Sequence, residues 1–181
     1  MRFQSGGVLC LSALVVACSP TFNWRNVSLD AAALQAQLPC KPERAERQVP
    51  LTPSGTTLRL MSCEAGGITF ALAWAQLAPA EDMKQVLDHW QQAGWGSLRQ
   101  TAVPASGPPA GWQVWPVQVA GAQHLRAWKG PGLDHQGRPL QARQLYFAQG
   151  GMAYQAAVYG PALTEVGVAP FFEALRLPSS P

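Results

Sequence analysis

The sequence predicts an α+β fold in which an antiparallel sheet packs against two or three helices. The chain has 181 residues, of which 48% are apolar and 13% charged, so disorder is not expected over most of it. Its length predicts one domain with a sufficient core. Its 17 glycines and 16 prolines indicate many turns and short elements rather than a helical bundle. Alternating polar and apolar residues dominate the second half, which favours antiparallel strands there.

The first predicted element after the N-terminal region is a helix from Ser28 to Leu38. Ser28 is a suitable N-cap, and Asp30 would lie in the first turn, where a negative charge is favourable. Leu34 and Leu38 are four residues apart and would form a narrow buried stripe. Pro39 would end the helix.

Three short strands are predicted next, over residues 48–51, 56–63 and 68–75. The first two flank Pro53-Ser54-Gly55, which is a turn sequence. The third follows Gly66-Gly67 and is rich in apolar and aromatic residues, which predicts a buried central strand.

Residues 80–93 have the clearest helical pattern. Pro79 suits the first turn, and Gly94 suits the position that follows the last helical residue. His89 lies off the apolar stripe and is expected on the surface. The stripe itself comprises Met83, Val86, Leu87, Trp90 and Ala93.

The rest of the chain predicts a four-strand antiparallel meander over residues 112–119, 122–129, 139–149 and 152–159. Gly150-Gly151 predicts a two-residue hairpin that places residue 149 opposite 152, 147 opposite 154 and 145 opposite 156. One face of this hairpin is expected in the core: Leu145, Phe147, Met152, Tyr154, Ala156 and Val158. The other is expected to be half-exposed: Gln144, Tyr146, Gln155 and Tyr159.

A last short helix is expected to begin after Pro170 and to press Phe171, Phe172 and Leu175 onto the sheet. The short N-terminal strands, the C-terminal meander and the helices would form a single domain over residues 28–178.

The N-terminus has the proportions of a secretory signal peptide over residues 1–17. Arg2 is followed by about twelve apolar residues, which are too few to cross a bilayer. The sequence Leu14-Val15-Val16-Ala17-Cys18 resembles the bacterial lipobox, with Val15, Val16 and Ala17 at the recognition positions and Cys18 at the acylated one. Two alternatives remain open: a cleaved signal with a chance cysteine, and an uncleaved short anchor.

This resemblance implies that Cys18 becomes the mature N-terminus and carries a thioether-linked diacylglycerol and an amide-linked acyl chain. Because Ser19 and not an aspartate follows it, the resemblance implies an outer-membrane lipoprotein that faces the periplasm. Residues 18–27 would be a lipidated tether. Phe22 and Trp24 either lie at the lipid interface or dock on the domain.

Cys40 and Cys63 remain after Cys10 leaves with the signal peptide and Cys18 is acylated. Two thiols in an oxidising envelope predict one disulfide. The competing interpretation is a redox or metal pair, but the chain has no C-x-x-C sequence and no histidine close to either residue.

The sequence indicates no catalytic residue, no metal site and no cofactor. A metal site from His124 and His135 would need at least one more ligand, for which Asp134 is the local candidate, and ordinary turn residues are the simpler interpretation of Asp134 and His135. A formal charge of +3 argues against nucleic-acid binding.

Seven tryptophans are the unusual feature of the composition. Several flank the Pro-rich loop at residues 103–110, where they either line a groove or fill the core. The candidate binding surface comprises Trp112, Trp115, Trp128, Tyr146 and Tyr159.

The ending YQAAVYG…PFFEALRL resembles the close of PsbP-like domains, over roughly residues 40–177. The segments SPTFNWR, LPCKPER, CEAGGITFALAW and YQAAVYGP resemble small uncharacterised lipoproteins of Gram-negative bacteria. PsbP-like domains mostly act as adaptors or assembly factors.

These resemblances imply a lipid-anchored, non-catalytic binding or assembly module whose partner is an envelope protein or a small hydrophobic ligand. The alternatives are a periplasm-facing carrier of a hydrophobic ligand and an envelope enzyme of unknown class.

Overall fold

The computed structural model describes residues 20–100, 104 and 107–179. The predicted signal peptide over residues 1–17 and the predicted acylation site Cys18 lie outside the described residues, as does part of the loop at 103–110.

The described chain is an α+β domain, as the sequence predicts, with antiparallel sheets and two helices. Its elements in chain order are β1 Arg25–Val27, β2 Ala36–Leu38, β3 Glu43–Val49, β4 Thr56–Ala65, β5 Ile68–Gln76, α1 Met83–Ser97, β6 Gln113–Val114, β7 Gln123–Leu133, β8 Pro139–Gln149, β9 Met152–Gly160 and α2 Glu165–Glu173. Neither helix is long and apolar enough to cross a membrane.

The main sheet has seven strands in the order β3-β4-β5-β9-β8-β7-β6, all antiparallel. The predicted four-strand meander is therefore only part of a larger sheet, because β5 pairs with β9 and joins the N-terminal strands to it. The predicted strand over residues 112–119 is also wrong in length, since only Gln113–Val114 pairs with β7.

The predicted helix over residues 28–38 is wrong. Strands β1 and β2 form a small separate sheet instead, with Arg25 opposite Leu38. Leu34, Ala36 and Leu38 are buried, and residues two apart share one face of a strand. Leu34 and Leu38 alone, four residues apart, fit one face of a helix equally well. The backbones of Gln35 and Arg176 exchange hydrogen bonds of 2.9 and 3.1 Å, so a distant segment decides the conformation.

Helix α1 begins and ends later than the sequence predicts. The Asp82 carboxylate accepts hydrogen bonds from the backbone amides of Lys84 and Gln85 and so sets the start at Met83. The helix continues through Gly94, which is buried inside it rather than following its end. Ala93 is exposed, contrary to prediction, whereas His89 is exposed as predicted.

The face of the sheet that contacts α2 holds the larger core. The predicted inward face of the last hairpin is confirmed, since its six side chains are all buried: Leu145, Phe147, Met152, Tyr154, Ala156 and Val158. The predicted register is also confirmed, with residues 149 and 152 paired across the turn.

Helix α2 starts before the predicted position and contains Pro170 inside it. Thr164 caps its first turn by accepting a hydrogen bond from the Gly167 amide at 3.2 Å. Phe171, Phe172 and Leu175 are buried against the sheet, as the sequence predicts.

The opposite face of the sheet is covered by α1. Gln144 and Tyr146 are fully buried there, so the predicted half-exposed face is wrong for both residues. The cause is the position of α1, whose Trp90 packs edge-on against Tyr146 with ring centroids 6.1 Å apart. Gln155 and Tyr159 are half-buried.

A disulfide joins Cys40 and Cys63, which confirms the sequence prediction. Cys40 follows β2, and Cys63 lies in β4. The bond therefore fixes the small two-stranded sheet to the main sheet, across a sequence separation of 23 residues.

We expect replacement of both Cys40 and Cys63 by alanine to lower the free energy of unfolding by about 3 kcal/mol, because the closed loop restricts the unfolded chain. Urea denaturation of the variant and of the parent protein, followed by tryptophan fluorescence, measures the difference. An equal unfolding midpoint for both proteins would contradict the stabilising role of the bond.

Candidate functional site

A cleft lies at the β6 edge of the main sheet and is our candidate functional site. It has a volume of about 390 Å³. We call it the edge cleft; it is lined by Gly111, Gln113, Lys129, Gly130, Pro131, Gln141, Ala142, Arg143 and Leu163. Strands β6, β7 and β8 supply most of this lining, so a continuous piece of sheet supports it.

Arg143 is the most strongly fixed side chain of the edge cleft. Its side chain is only 9% exposed, and its guanidinium donates hydrogen bonds of 3.0 and 2.6 Å to the two carboxylate oxygens of Glu165. The same group lies 5.2 Å from the centroid of the Trp115 ring, within the range of a cation–π interaction. Arg143 thus joins β8 to the start of α2 and to the segment after β6.

Lys129 lies directly across the β7–β8 ladder from Arg143. It is exposed, and no carboxylate lies within 4.0 Å of its ammonium group in the part of the chain that the structure describes. The edge cleft therefore presents one ammonium group without an ionic partner beside the neutralised Arg143–Glu165 pair. That charge is suited to an acidic group on a ligand.

The hydrogen bonds from Arg143 hold the pKa of Glu165 below its ordinary value of 4.5, and the charges of Arg143 and Lys129 act in the same direction. Partial desolvation of the carboxyl opposes them. Because the pKa of Glu165 is depressed on folding, the ion pair stabilises the fold above the ordinary pKa. That contribution disappears as the pH falls through the lowered value.

We expect Arg143→Met to return the pKa of Glu165 to near 4.5, because the side-chain hydrogen bonds are the largest cause of its depression. Lys129→Met removes a charge that makes no hydrogen bond to Glu165 and should raise the pKa by less. Carboxyl ¹³C NMR titration measures both shifts. Equal shifts in the two variants would contradict the dominant role of Arg143.

Of the five residues in the predicted binding surface, Trp115 is the one that contacts the Arg143 guanidinium of the edge cleft. It is half-buried and packs edge-on against Phe172 of α2, with ring centroids 4.5 Å apart. Its amide donates to the Ala127 carbonyl at 3.0 Å, which holds the segment after β6 against β7.

Trp112 and Trp128 lie instead against α1, where both pack around Trp95 at centroid distances of 6.0 and 5.5 Å. Trp112 is buried and lies on Gly130, where an added Cβ would meet the indole at 2.5 Å. Trp128 is half-buried, and its indole N–H donates to Gln91 at 2.6 Å. The structure therefore does not gather the predicted tryptophans on one surface.

Tyr146 and Tyr159 belong to a polar network between α1 and the sheet. The Tyr146 hydroxyl donates to Gln144 at 3.3 Å and accepts from Gln155 at 2.9 Å, while Gln144 donates to the Tyr159 hydroxyl at 3.3 Å. Burial raises the pKa of Tyr146 well above its ordinary value of 10.0 and also raises that of Tyr159. Both phenols therefore stay neutral. Gln144 connects their network to α1 by donating to the Gly94 carbonyl at 3.5 Å.

We expect Gly94→Ala to destabilise the protein by about 1–3 kcal/mol, because an added Cβ would overlap the buried Tyr146 hydroxyl. Gly96→Ala is the matched control in the same helix, since a Cβ there meets nothing within 4 Å. Thermal unfolding of both variants measures the difference. A loss of stability as large in Gly96→Ala as in Gly94→Ala would contradict this packing.

The remaining candidates for chemistry lie on turns and edges. His124 is exposed at an irregularity in β7, and His135 lies in the turn before β8. Asp134 accepts hydrogen bonds from the backbone amides of Gln136 and Arg138, which helps to lower its pKa to about 2. Among the described residues, no group of three metal-ligating side chains is found.

Sequence reasoning missed Lys129, Arg143 and Glu165. One signal was available for Arg143, because it shares the inward-facing parity of Leu145 and Phe147 in β8. A charged side chain on a buried face needs an ionic or hydrogen-bonding partner. That parity predicts a partner for the Arg143 guanidinium, but neither the kind of partner nor the residue that supplies it.

The fold and the edge cleft define a class: a disulfide-bonded α+β domain with a positively charged cleft at one sheet edge. In comparisons with known proteins, no family model matches the chain. No curated protein sequence matches it either.

Proposed function

We propose that the chain is an outer-membrane lipoprotein acylated on Cys18, whose domain faces the periplasm and acts as a non-catalytic binding or assembly module. The observation that carries this proposal is the lipobox sequence Val15-Val16-Ala17-Cys18 at the end of a short apolar segment. Lipid chains on one cysteine provide stable anchoring, since each buried CH₂ contributes about 0.8 kcal/mol.

One feature of the domain supports an envelope location, and a second concerns how closely folded structure follows Cys18 in the sequence. The disulfide between Cys40 and Cys63 is typical of proteins in an oxidising compartment. The folded chain also begins very close to Cys18, with Phe22 and Trp24 packed on Phe70 at centroid distances of 6.2 and 5.8 Å. Of the two alternatives for these aromatic residues, docking on the domain is the one observed.

We further propose that the fold is PsbP-like. An antiparallel sheet with α1 on one face and α2 on the other supports this relationship. An adaptor or assembly role is then the expected kind of function, although fold alone never assigns a task.

The proposed binding site is the edge cleft, and its ligand is an acidic segment of another envelope protein. Lys129 supplies the charge, and Gln113 supplies an exposed amide at the sheet edge. Arg143, held in place by Glu165 and Trp115, supplies a rigid wall. Because Gln113–Val114 is an edge strand, an extended segment can also pair with its free backbone groups.

The packing of the interior favours this proposal over a carrier of a hydrophobic ligand. A carrier needs a cavity between the sheet and a helix. Here aromatic rings occupy that space: Phe70 packs edge-on against Phe171 at 5.6 Å, and Phe147 stacks on Tyr154 at 5.1 Å.

Site-specific photo-crosslinking in living cells tests the proposal. A photoreactive amino acid at Gln113 should give a discrete protein adduct, and Lys129→Glu should greatly reduce it by reversing the charge. The same photoreactive amino acid at position 48 should give no such adduct, because Gln48 is exposed on the opposite edge strand β3. Identical adducts from both positions, or no effect of Lys129→Glu, would contradict binding in the edge cleft.

A further inference from the structure

The chain enters the described domain at one particular end of the sheet. Thr21 and Phe22 lie against the β4–β5 turn, since a Cβ added at Gly66 would meet both side chains at 3.1 Å. Phe22 also lies beside the first turn of α2, where a Cβ added at Gly167 would meet its ring at 3.6 Å. The first packed residues of the domain therefore lie at this turn, and Phe22 lies between it and the start of α2.

The same end exposes apolar side chains. Val166 in the first turn of α2 is 89% exposed. Among the described residues, two large hydrophobic side chains are exposed, and Val166 is the more exposed of them. Pro161 and Ala162 are exposed just before it, and Leu163 is half-buried. We call these four residues the apolar end.

The polar side chains within this segment have partners inside the protein. Glu165 is held by Arg143 through two hydrogen bonds, and the Thr164 hydroxyl accepts from the Gly167 amide. The backbone amide of Leu163 donates to the Gln141 side chain at 3.2 Å. These side chains therefore keep their partners where the segment meets an apolar environment.

We propose that the apolar end lies against the bilayer that holds the Cys18 lipids, so that the domain has one fixed orientation on the membrane. This inference rests on the proposed acylation of Cys18. Cys18 and Pro20 are two residues apart, a span of at most about 7 Å even when extended. Since Thr21 and Phe22 are packed on the domain, the anchor brings this end to the membrane surface.

The orientation has a consequence for the edge cleft. Leu163 belongs both to the apolar end and to the cleft lining, so the cleft opens close to the membrane surface. The Gly150-Gly151 hairpin and the β3–β4 turn lie at the opposite end of the strands and face away from the bilayer. A partner in the edge cleft would therefore be one that approaches along the membrane.

Lipid quenching of a fluorescent label tests this orientation. The full lipidated protein with Val166→Cys is labelled with an environment-sensitive fluorophore and inserted into phosphatidylethanolamine–phosphatidylglycerol vesicles that contain brominated lipids. Ser54→Cys, which lies exposed in the β3–β4 turn, is the matched control. The added thiol is the reactive one in each mature variant, because Cys40 and Cys63 are bonded and Cys18 would be acylated.

The label at position 166 should lose most of its fluorescence to the brominated lipids, whereas the label at position 54 should keep it. Equal quenching at the two positions, or none at position 166, would overturn the inference. The mass of the N-terminal peptide is measured on the same sample. A peptide without lipid on Cys18 overturns both proposals, whereas an acylated protein with position 166 in water overturns the orientation alone.

Discussion

Cys18→Ala should transfer the protein almost completely from the membrane fraction to the soluble fraction of the envelope. The acyl chains are the proposed anchor, and each CH₂ that they bury contributes about 0.8 kcal/mol. A single apolar patch such as that around Val166 provides far less. Fractionation of cells followed by immunoblotting measures the distribution, and Ser19→Ala is the control that should remain in the membrane fraction.

Retention of Cys18→Ala in the membrane at the parental level would contradict the lipoprotein proposal. It would instead favour an uncleaved N-terminal anchor, which is one of the alternatives that the sequence leaves open.

Phe171→Ala should lower the free energy of unfolding by about 3–5 kcal/mol, because it opens a cavity in the larger core. Phe171 is fully buried and contacts rings on two elements, with centroids 5.6 Å from Phe70 and 4.9 Å from Phe172. Urea denaturation of the variant measures the loss.

Phe22→Ala serves as the comparison for Phe171→Ala. Phe22 is half-buried and contacts the same Phe70 ring at a centroid distance of 6.2 Å, so its truncation should cost clearly less. If Phe22→Ala destabilised the protein as much as Phe171→Ala, the arrangement of the core around α2 would be wrong.

Elements specified by local sequence were predictable. The strand over residues 139–149 has the predicted bounds, and the register of the last hairpin follows from its Gly150-Gly151 turn. Both glycines adopt positive φ, 58° and 80°, which such a tight turn requires. The disulfide was predictable because the lipobox interpretation leaves Cys40 and Cys63 as the pair, and the structure joins these two.

Elements decided by distant contacts were not predictable. Residues 28–38 were assigned to a helix, but Gln35 pairs with the backbone of Arg176 far along the chain. Tyr146 was placed on a half-exposed face because the sequence does not show that α1 packs on that face. Tertiary contacts overrode local propensity in both places.

The candidate site was predictable only in small part. Trp115 was identified from the density of tryptophans, and it does contact Arg143. The ion pair between Arg143 and Glu165 was not, because its members are 22 residues apart and meet only when α2 packs beside β8. Lys129 gains its interest because, among the described residues, no carboxylate lies within 4.0 Å of its ammonium group, which a sequence does not reveal.

The mass of the N-terminal peptide of the protein isolated from its own membrane tests the central claim most directly. Our proposal predicts a peptide that begins at Cys18, lacks residues 1–17, and carries a diacylglycerol on the thiol and an acyl chain on the α-amino group. A peptide that begins at Met1, or at any residue with Cys18 unmodified, would contradict it.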